Sequence, residues 1–216
     1  MNQHIAENVA KILLDIKAVK LAPSTPFTYS SGIKSPIYTD CRMLISYPKE
    51  RKIVVQYLVD AINETHIPVA VVAGTATAGI PHAAWVADVL NLPMVYVRSK
   101  PKDHGTGSLV EGVLLKDQET IVIEDLISTG GSSAKTVQAI RADGAKASHI
   151  FAITTYGMQK ADEVFKNDAI TLHVLTTFET IVAIAAKEGY IRLEEQTVIL
   201  EWAADPAGWA KKQGFE

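Results

Sequence analysis

Apolar side chains recur at Ile5, Val9, Ile12, Leu13 and Ile16, the spacing that turns one face of a helix toward a core, so residues 3–16 are predicted to be helical. The pattern then changes. Residues 27–40 alternate aromatic and polar positions around a Ser-Gly turn, which predicts two short strands, 27–29 and 37–40, paired as a hairpin. Ser46 followed by Pro48 marks a helix start with Ser46 as N-cap. That helix should run to residue 63 with Ile53, Val54, Tyr57, Leu58 and Ala61 on its apolar face.

From there the chain alternates. The continuous apolar run 69–73 has the character of a strand covered on both faces, followed by a small-residue loop at 74–79 and a helix at 80–90. Strands are expected at 93–97, 121–125 and 146–154, with a short return strand at 110–116 and a helix at 134–141. Strands and helices in alternation imply an α/β fold with a doubly wound, mostly parallel sheet and right-handed crossovers. Ligands of such sheets bind at the carboxyl ends of the strands, where the 74–79 loop, the segment after Val97 and the loop from Glu124 should converge. Residues 171–175 read as an edge strand, 178–187 and 193–202 as amphipathic helices, and Asp205-Pro206 as the opening of a last short helix. Trp202 and Trp209 read as packing residues.

At 216 residues and 48% hydrophobic, the chain can bury the core of one α/β domain. The expected organisation is a small hood, residues 1–45, on a core, residues 46–216, that ends in a helical tail. A net charge of −3 gives no basic footprint for nucleic acid. The single cysteine, Cys41, excludes an internal disulfide and a Cys-rich metal site. No apolar run approaches the roughly 20 residues of a membrane span. The N-terminus lacks the basic start and apolar core of a signal peptide, so a soluble cytoplasmic protein without a membrane partner is expected.

The chemistry concentrates in residues 121–133. An apolar strand runs into Glu124 and Asp125, then Leu126 and Ile127, then Ser128-Thr129-Gly130-Gly131-Ser132-Ser133 before a helix. A small-residue turn at a helix start presents backbone N–H groups at the positive end of the helix dipole, an anion pocket suited to phosphate. Carboxylates there would repel the phosphate itself, so they should face sugar hydroxyls or a metal, and a phosphorylated sugar is indicated. An ordinary strand-turn-helix connection uses similar residues, but the acidic pair ahead of the glycines favours a site. Residues 98–109 carry Arg98, Lys100, Lys102 and His104 among proline and glycines, with little to bury. Leaving a strand end beside an anion pocket, they read as a catalytic lid for a polyphosphate. No Ser-His-Asp or Cys-His constellation appears, and neither a Walker-type nor a strand-following Gly-x-Gly-x-x-Gly loop is present.

Residues 122–133 resemble the 5-phosphoribosyl 1-pyrophosphate (PRPP) signature of the type I phosphoribosyltransferases. Two further stretches, Phe-Thr-Tyr-Ser-Ser-Gly-Ile-Lys-Ser-Pro at 27–36 and Arg-Ser-Lys-Pro-Lys-Asp-His-Gly at 98–105, make nearly the whole chain similar to the orotate-using branch of that family. The resemblance implies the family's fold with its hood. It also implies transfer of the phosphoribosyl group from PRPP to orotate in pyrimidine synthesis. Residue by residue, it implies that Glu124 and Asp125 hold the ribose hydroxyls and that Leu126, Ile127, Ser128, Thr129, Gly130, Gly131 and Ser132 line the 5′-phosphate site. Ser128 also falls at an orotate contact, and Arg98, Lys102 and His104 fall on the pyrophosphate. Lys102, His104 and Asp125 are the expected catalytic residues. The family's lid serves the neighbouring subunit, which implies a homodimer. Mg²⁺ would ride on PRPP oxygens and water rather than in a protein metal site. Some relatives carry lysine at Ser30, Tyr-Lys at Thr77-Ala78 and arginine near Tyr156, so one face of the base site is left open. A purine-base phosphoribosyltransferase and a PRPP-binding regulator of the same fold are the alternatives.

Overall fold

The computed structural model describes residues 2–29, 31–100 and 108–215. Helix α1 (Gln3–Asp15) is capped by Asn2, whose side chain accepts from the His4 N–H at 3.0 Å, and it buries Val9, Ile12 and Leu13 as the periodicity predicts. This face packs on β10 and α6, so α1 shares the main core with the sheet.

The hairpin prediction is corrected. Strand β1 (Val19–Leu21), which the sequence pattern does not reveal, pairs with β4 (Ile37–Thr39), while β2 (Phe27–Thr28) pairs with β3 (Lys34–Ser35). The turn between β2 and β3 closes early, because the Tyr29 N–H donates to the Ile33 carbonyl at 2.9 Å and the Gly32 N–H to the Tyr29 carbonyl at 2.8 Å. Pro36 then breaks the ladder, having no N–H to give, and frees residues 37–39 for another partner.

The expected cap at Ser46 is also corrected: Ser46 ends a 3-10 helix (Cys41–Ser46), and α2 (Pro48–Glu64) follows Tyr47 without a side-chain cap. Its buried face is Val54, Val55, Leu58, Val59 and Ile62 rather than one including Ile53, which is 41% exposed. Two apolar stripes overlap on this helix, and packing against the sheet selects one of them.

Strand β5 (Val71–Thr75) is buried at every position, starts two residues later than expected and absorbs Gly74 and Thr75. Helix α3 (Gly79–Leu90) leads to β6 (Met94–Val97). The expected return strand shortens to β7 (Val110–Glu111), antiparallel to β6. Then come β8 (Glu119–Ile127), α4 (Gly131–Ala142), β9 (Lys146–Thr155), α5 (Gln159–Asn167), β10 (Thr171–Thr177), α6 (Phe178–Lys187), α7 (Glu195–Ala204) and α8 (Trp209–Lys212). The sequence reading missed α5, a mostly polar helix that buries only Ala161 and Phe165.

The main sheet has six strands in the order β10-β9-β8-β5-β6-β7, with β7 alone antiparallel. Side chains alternate between two cores. Val72, Ile121 and Ile123 face α1, α2, α3 and α6, and Val71, Ala73 and Val122 face α4 and α5. The chain is therefore doubly wound. The order of winding reverses between β5 and β8, which is where a crevice opens in such sheets. Trp202 and Trp209 are buried packing residues; their indole N–H groups donate to the Lys34 carbonyl at 3.1 Å and the Val198 carbonyl at 2.7 Å. Among the described residues no helix is long and apolar enough to cross a membrane.

Candidate active site

Strand β5 stops pairing with β8 at Gly74 opposite Ile123, whereas β8 continues beside β9 until Ile127 lies opposite Thr155. Residues 124–127 thus overhang the end of β5 at the reversal point of the sheet. This corrects the expectation that Glu124 and Asp125 sit at a strand tip. They lie within β8, because β9 is long enough to keep it in register to Ile127.

Neighbours on a strand point to opposite faces, and the two carboxylates divide accordingly. Glu124, 5% exposed, accepts a 2.8 Å hydrogen bond from Ser133 Oγ in the first turn of α4. Burial pushes its carboxyl up to about 7, against the lowering effect of that bond. Asp125, half-buried, faces the 3-10 helix; burial pushes it up to about 6, partly offset by backbone N–H groups and the Arg42 guanidinium. Glu124 is poor in water contact, and among the described residues neither carboxylate is in a salt bridge, as acceptors kept for ligand hydroxyls would be.

The turn after β8 is built for close approach. Gly130, the N-cap of α4, has φ 76°, and a Cβ there would press on the Phe165 ring at 3.1 Å. Gly131 has nothing within 4 Å of where a Cβ would stand, and no side chain caps the helix. The first N–H groups of α4 are therefore left for an anion on the open side of Gly131. The base of the loop is clamped by the Tyr156 N–H, which donates to the Ile127 carbonyl at 2.9 Å, and by Thr155 Oγ1, which donates to the same oxygen at 3.3 Å. Ser128 Oγ points to Met158 Sδ at 3.9 Å.

On the other side of the crevice, Gly79 lets α3 approach β8 so closely that a Cβ would lie 2.5 Å from the Ile123 carbonyl oxygen. The Ala76–Thr77 peptide in this loop is cis. A cavity of about 480 Å³ at the ends of β5 and β6 is lined by Thr75, Ala76, Arg98, Ser132 and Lys135 among others. It brings Arg98 beside the glycine turn but does not include the acidic pair. Arg98 Nη1 lies 3.4 Å from Glu111 Oε1. The sequence reading missed Lys135. Its signal was a cation one turn into the helix that starts at the glycines. Lys102, His104 and Ser30 lie outside the described residues.

Tyr156 is buried edge-on against Trp202 at 5.2 Å and Phe178 at 6.0 Å, which keeps its hydroxyl neutral. That hydroxyl lies 3.3 Å from the Tyr29 hydroxyl, which donates to the Ile37 carbonyl at 2.8 Å. The hood is thereby joined to the loop strand by an uncharged aromatic cluster.

Residues 46–188 match the phosphoribosyl transferase domain family. The chain is 49% identical over 207 residues to an orotate phosphoribosyltransferase of Listeria monocytogenes, covering 96% of this chain and 99% of that one. It is 50% identical over the same span to an orotate phosphoribosyltransferase of Enterococcus faecalis, again with 96% and 99% coverage. Its fold is similar to the crystal structure of orotate phosphoribosyltransferase from Aeropyrum pernix, with a TM-score of 0.73 at 30% identity over 85% of this chain and 99% of that one.

Proposed function

The chain belongs to the orotate phosphoribosyltransferases of the phosphoribosyl transferase family, and we propose that it carries out their reaction in the crevice between β5 and β8. It moves the 5-phosphoribosyl group of PRPP onto a ring nitrogen of orotate, giving orotidine 5′-phosphate and pyrophosphate. The observation that best supports this reading is the overhang of β8, which sets a buried and a half-buried carboxylate beside an uncapped, glycine-opened helix start. An anion site and a hydroxyl site side by side match the two ends of a ribose 5-phosphate.

In this proposal the 5′-phosphate rests on the backbone of residues 126–132, and Glu124 and Asp125 accept the ribose hydroxyls. Departure of pyrophosphate leaves positive charge on the sugar ring and negative charge on the leaving group. Catalysis then comes from positioning and from cations placed where that charge develops. Arg98, Lys102 and His104 serve the leaving group, with Lys102 acting on its charge and His104 donating a hydrogen bond or proton. Lys102 and His104 enter on a lid supplied by a second copy of the chain, in a homodimer.

Mg²⁺, when bound with PRPP, would neutralise charge on the pyrophosphate. Among the described residues no group of three or more His, Cys, Asp or Glu could cage it, and a cation that keeps its water fits a site where PRPP brings most of the oxygen ligands. Loss of orotate absorbance with PRPP and Mg²⁺, with purine bases as controls, tests the reading. Turnover of orotate alone is expected. Turnover of a purine base, or PRPP binding without turnover of any base, would replace it with one of the alternatives.

A further inference from the structure

Orotate is uracil with a carboxylate on the carbon next to the nitrogen that takes the ribosyl group. Bound for transfer, it brings a full negative charge close to the ribose, into a site that already holds Glu124 and Asp125. Some cation must compensate that charge, and it must lie on the base side of the acidic strand.

The described cations around β8 fall on two sides. Arg98 and Lys135 line the cavity at the ends of β5 and β6, where the leaving group is placed. Arg42 lies on the opposite side, in the 3-10 helix that packs on β8 and follows directly from hood strand β4. The helix that carries it joins β4 to the main sheet at β8, and the Arg42 charge lowers the Asp125 carboxyl.

Arg42 is also held ready. Asp40 grips it at 2.6 Å through Nε and 2.9 Å through Nη2, and the Arg42 backbone N–H bonds the same carboxylate at 3.2 Å. The guanidinium lowers the Asp40 carboxyl from its ordinary value, against the effect of burial, so the pair stays ionised. A guanidinium carries five N–H donors, and Asp40 takes two, leaving three for a ligand. The Arg42 side chain is 58% exposed and makes no other hydrogen bond among the described residues. The aromatic cluster at Tyr156 offers no substitute, since it holds no cation: burial keeps the Tyr156 hydroxyl neutral, and the Tyr29 hydroxyl beside it donates to the Ile37 carbonyl.

We propose that Arg42, braced by Asp40, binds the carboxylate of orotate and sets the preference for a carboxylated pyrimidine over uracil. This rests on the reaction assigned above. A fixed, forked donor suits a planar carboxylate.

The test compares Arg42→Gln, Arg42→Lys, Asp40→Asn and, as comparator on the hood, Lys34→Gln. The readouts are kcat/KM for orotate and for uracil, the Kd of PRPP by calorimetry, and Tm. Arg42→Gln is expected to lower kcat/KM for orotate by about tenfold or more while leaving uracil and PRPP unchanged, the scale of a lost hydrogen bond to a charged group. Arg42→Lys should keep part of the orotate preference, since charge remains and the fork is lost. Asp40→Asn should lose part of it. An equal loss for both bases, a weakened PRPP Kd, an unchanged orotate-to-uracil ratio, or collapse of that ratio in Lys34→Gln alone would overturn the assignment. If the wild-type protein transfers to neither pyrimidine, the reaction itself is misassigned, a result separate from any behaviour of the variants.

Discussion

Ser133 Oγ donates a 2.8 Å hydrogen bond to Glu124 Oε2, tying the first turn of α4 to the strand that carries the acidic pair. The bond fixes the carboxylate without satisfying its charge, because burial still holds it near 7. An acid raised in the folded state binds more protons folded than unfolded between its two pKa values. Stability is therefore greatest below the ordinary glutamate value and declines as pH rises toward 7.

Glu124→Gln should accordingly stabilise the fold at pH 8 by about 1–3 kcal/mol, with a much smaller gain at pH 5, because the amide oxygen still accepts from Ser133 and the buried charge is gone. The same variant should bind PRPP more weakly. Thermal unfolding at the two pH values and PRPP calorimetry check both halves. For the wild type, kcat/KM for PRPP should fall as pH drops from 8 toward 6, while Glu124 and then Asp125 take up protons.

Asp125→Asn removes a charged acceptor and leaves the loop backbone in place. The expected loss of transition-state stabilisation is about 1.5–3 kcal/mol, read from kcat/KM for PRPP. Unchanged steady-state kinetics would take Asp125 out of the site.

The two glycines of the turn should separate structure from binding. Gly130→Ala forces a side chain into a left-handed backbone and onto the Phe165 ring, so a destabilisation of about 1–3 kcal/mol is expected. Gly131→Ala meets open space and adds a good helix former, so Tm should hold while its methyl group intrudes on the anion pocket and raises KM for PRPP. Melting curves and PRPP titrations of the two variants distinguish them.

Lid exchange between subunits is tested by mixing Lys102→Ala protein with Asp125→Asn protein under exchange conditions. Each mixed dimer then holds one site with both residues intact and one with both lesions. Random exchange makes about half of the dimers mixed, so roughly a quarter of wild-type site activity should return. No recovery after verified exchange would count against the shared lid.

The sequence by itself determined the alternating α/β order and the acidic-glycine turn, because both are written in local pattern. Short continuous apolar runs between turn residues fit strands covered on both faces, and a Ser-Thr-Gly-Gly run ahead of a helical pattern fits a turn. The family resemblance added the reaction. Tertiary structure decided what depends on partners distant along the chain. Only the length of β9 carries β8 past the end of β5 and puts Glu124 and Asp125 inside a strand facing opposite ways. Only the early turn at Tyr29 and the missing N–H of Pro36 give residues 37–39 to β1. Packing chose Val55, Val59 and Ile62 over Ile53 on α2, and it alone set the 3-10 helix that carries Arg42 against β8. Periodicity reports which residues want burial. Which of several equally apolar faces is covered, and which charges meet, follows from long-range contacts that no local window contains.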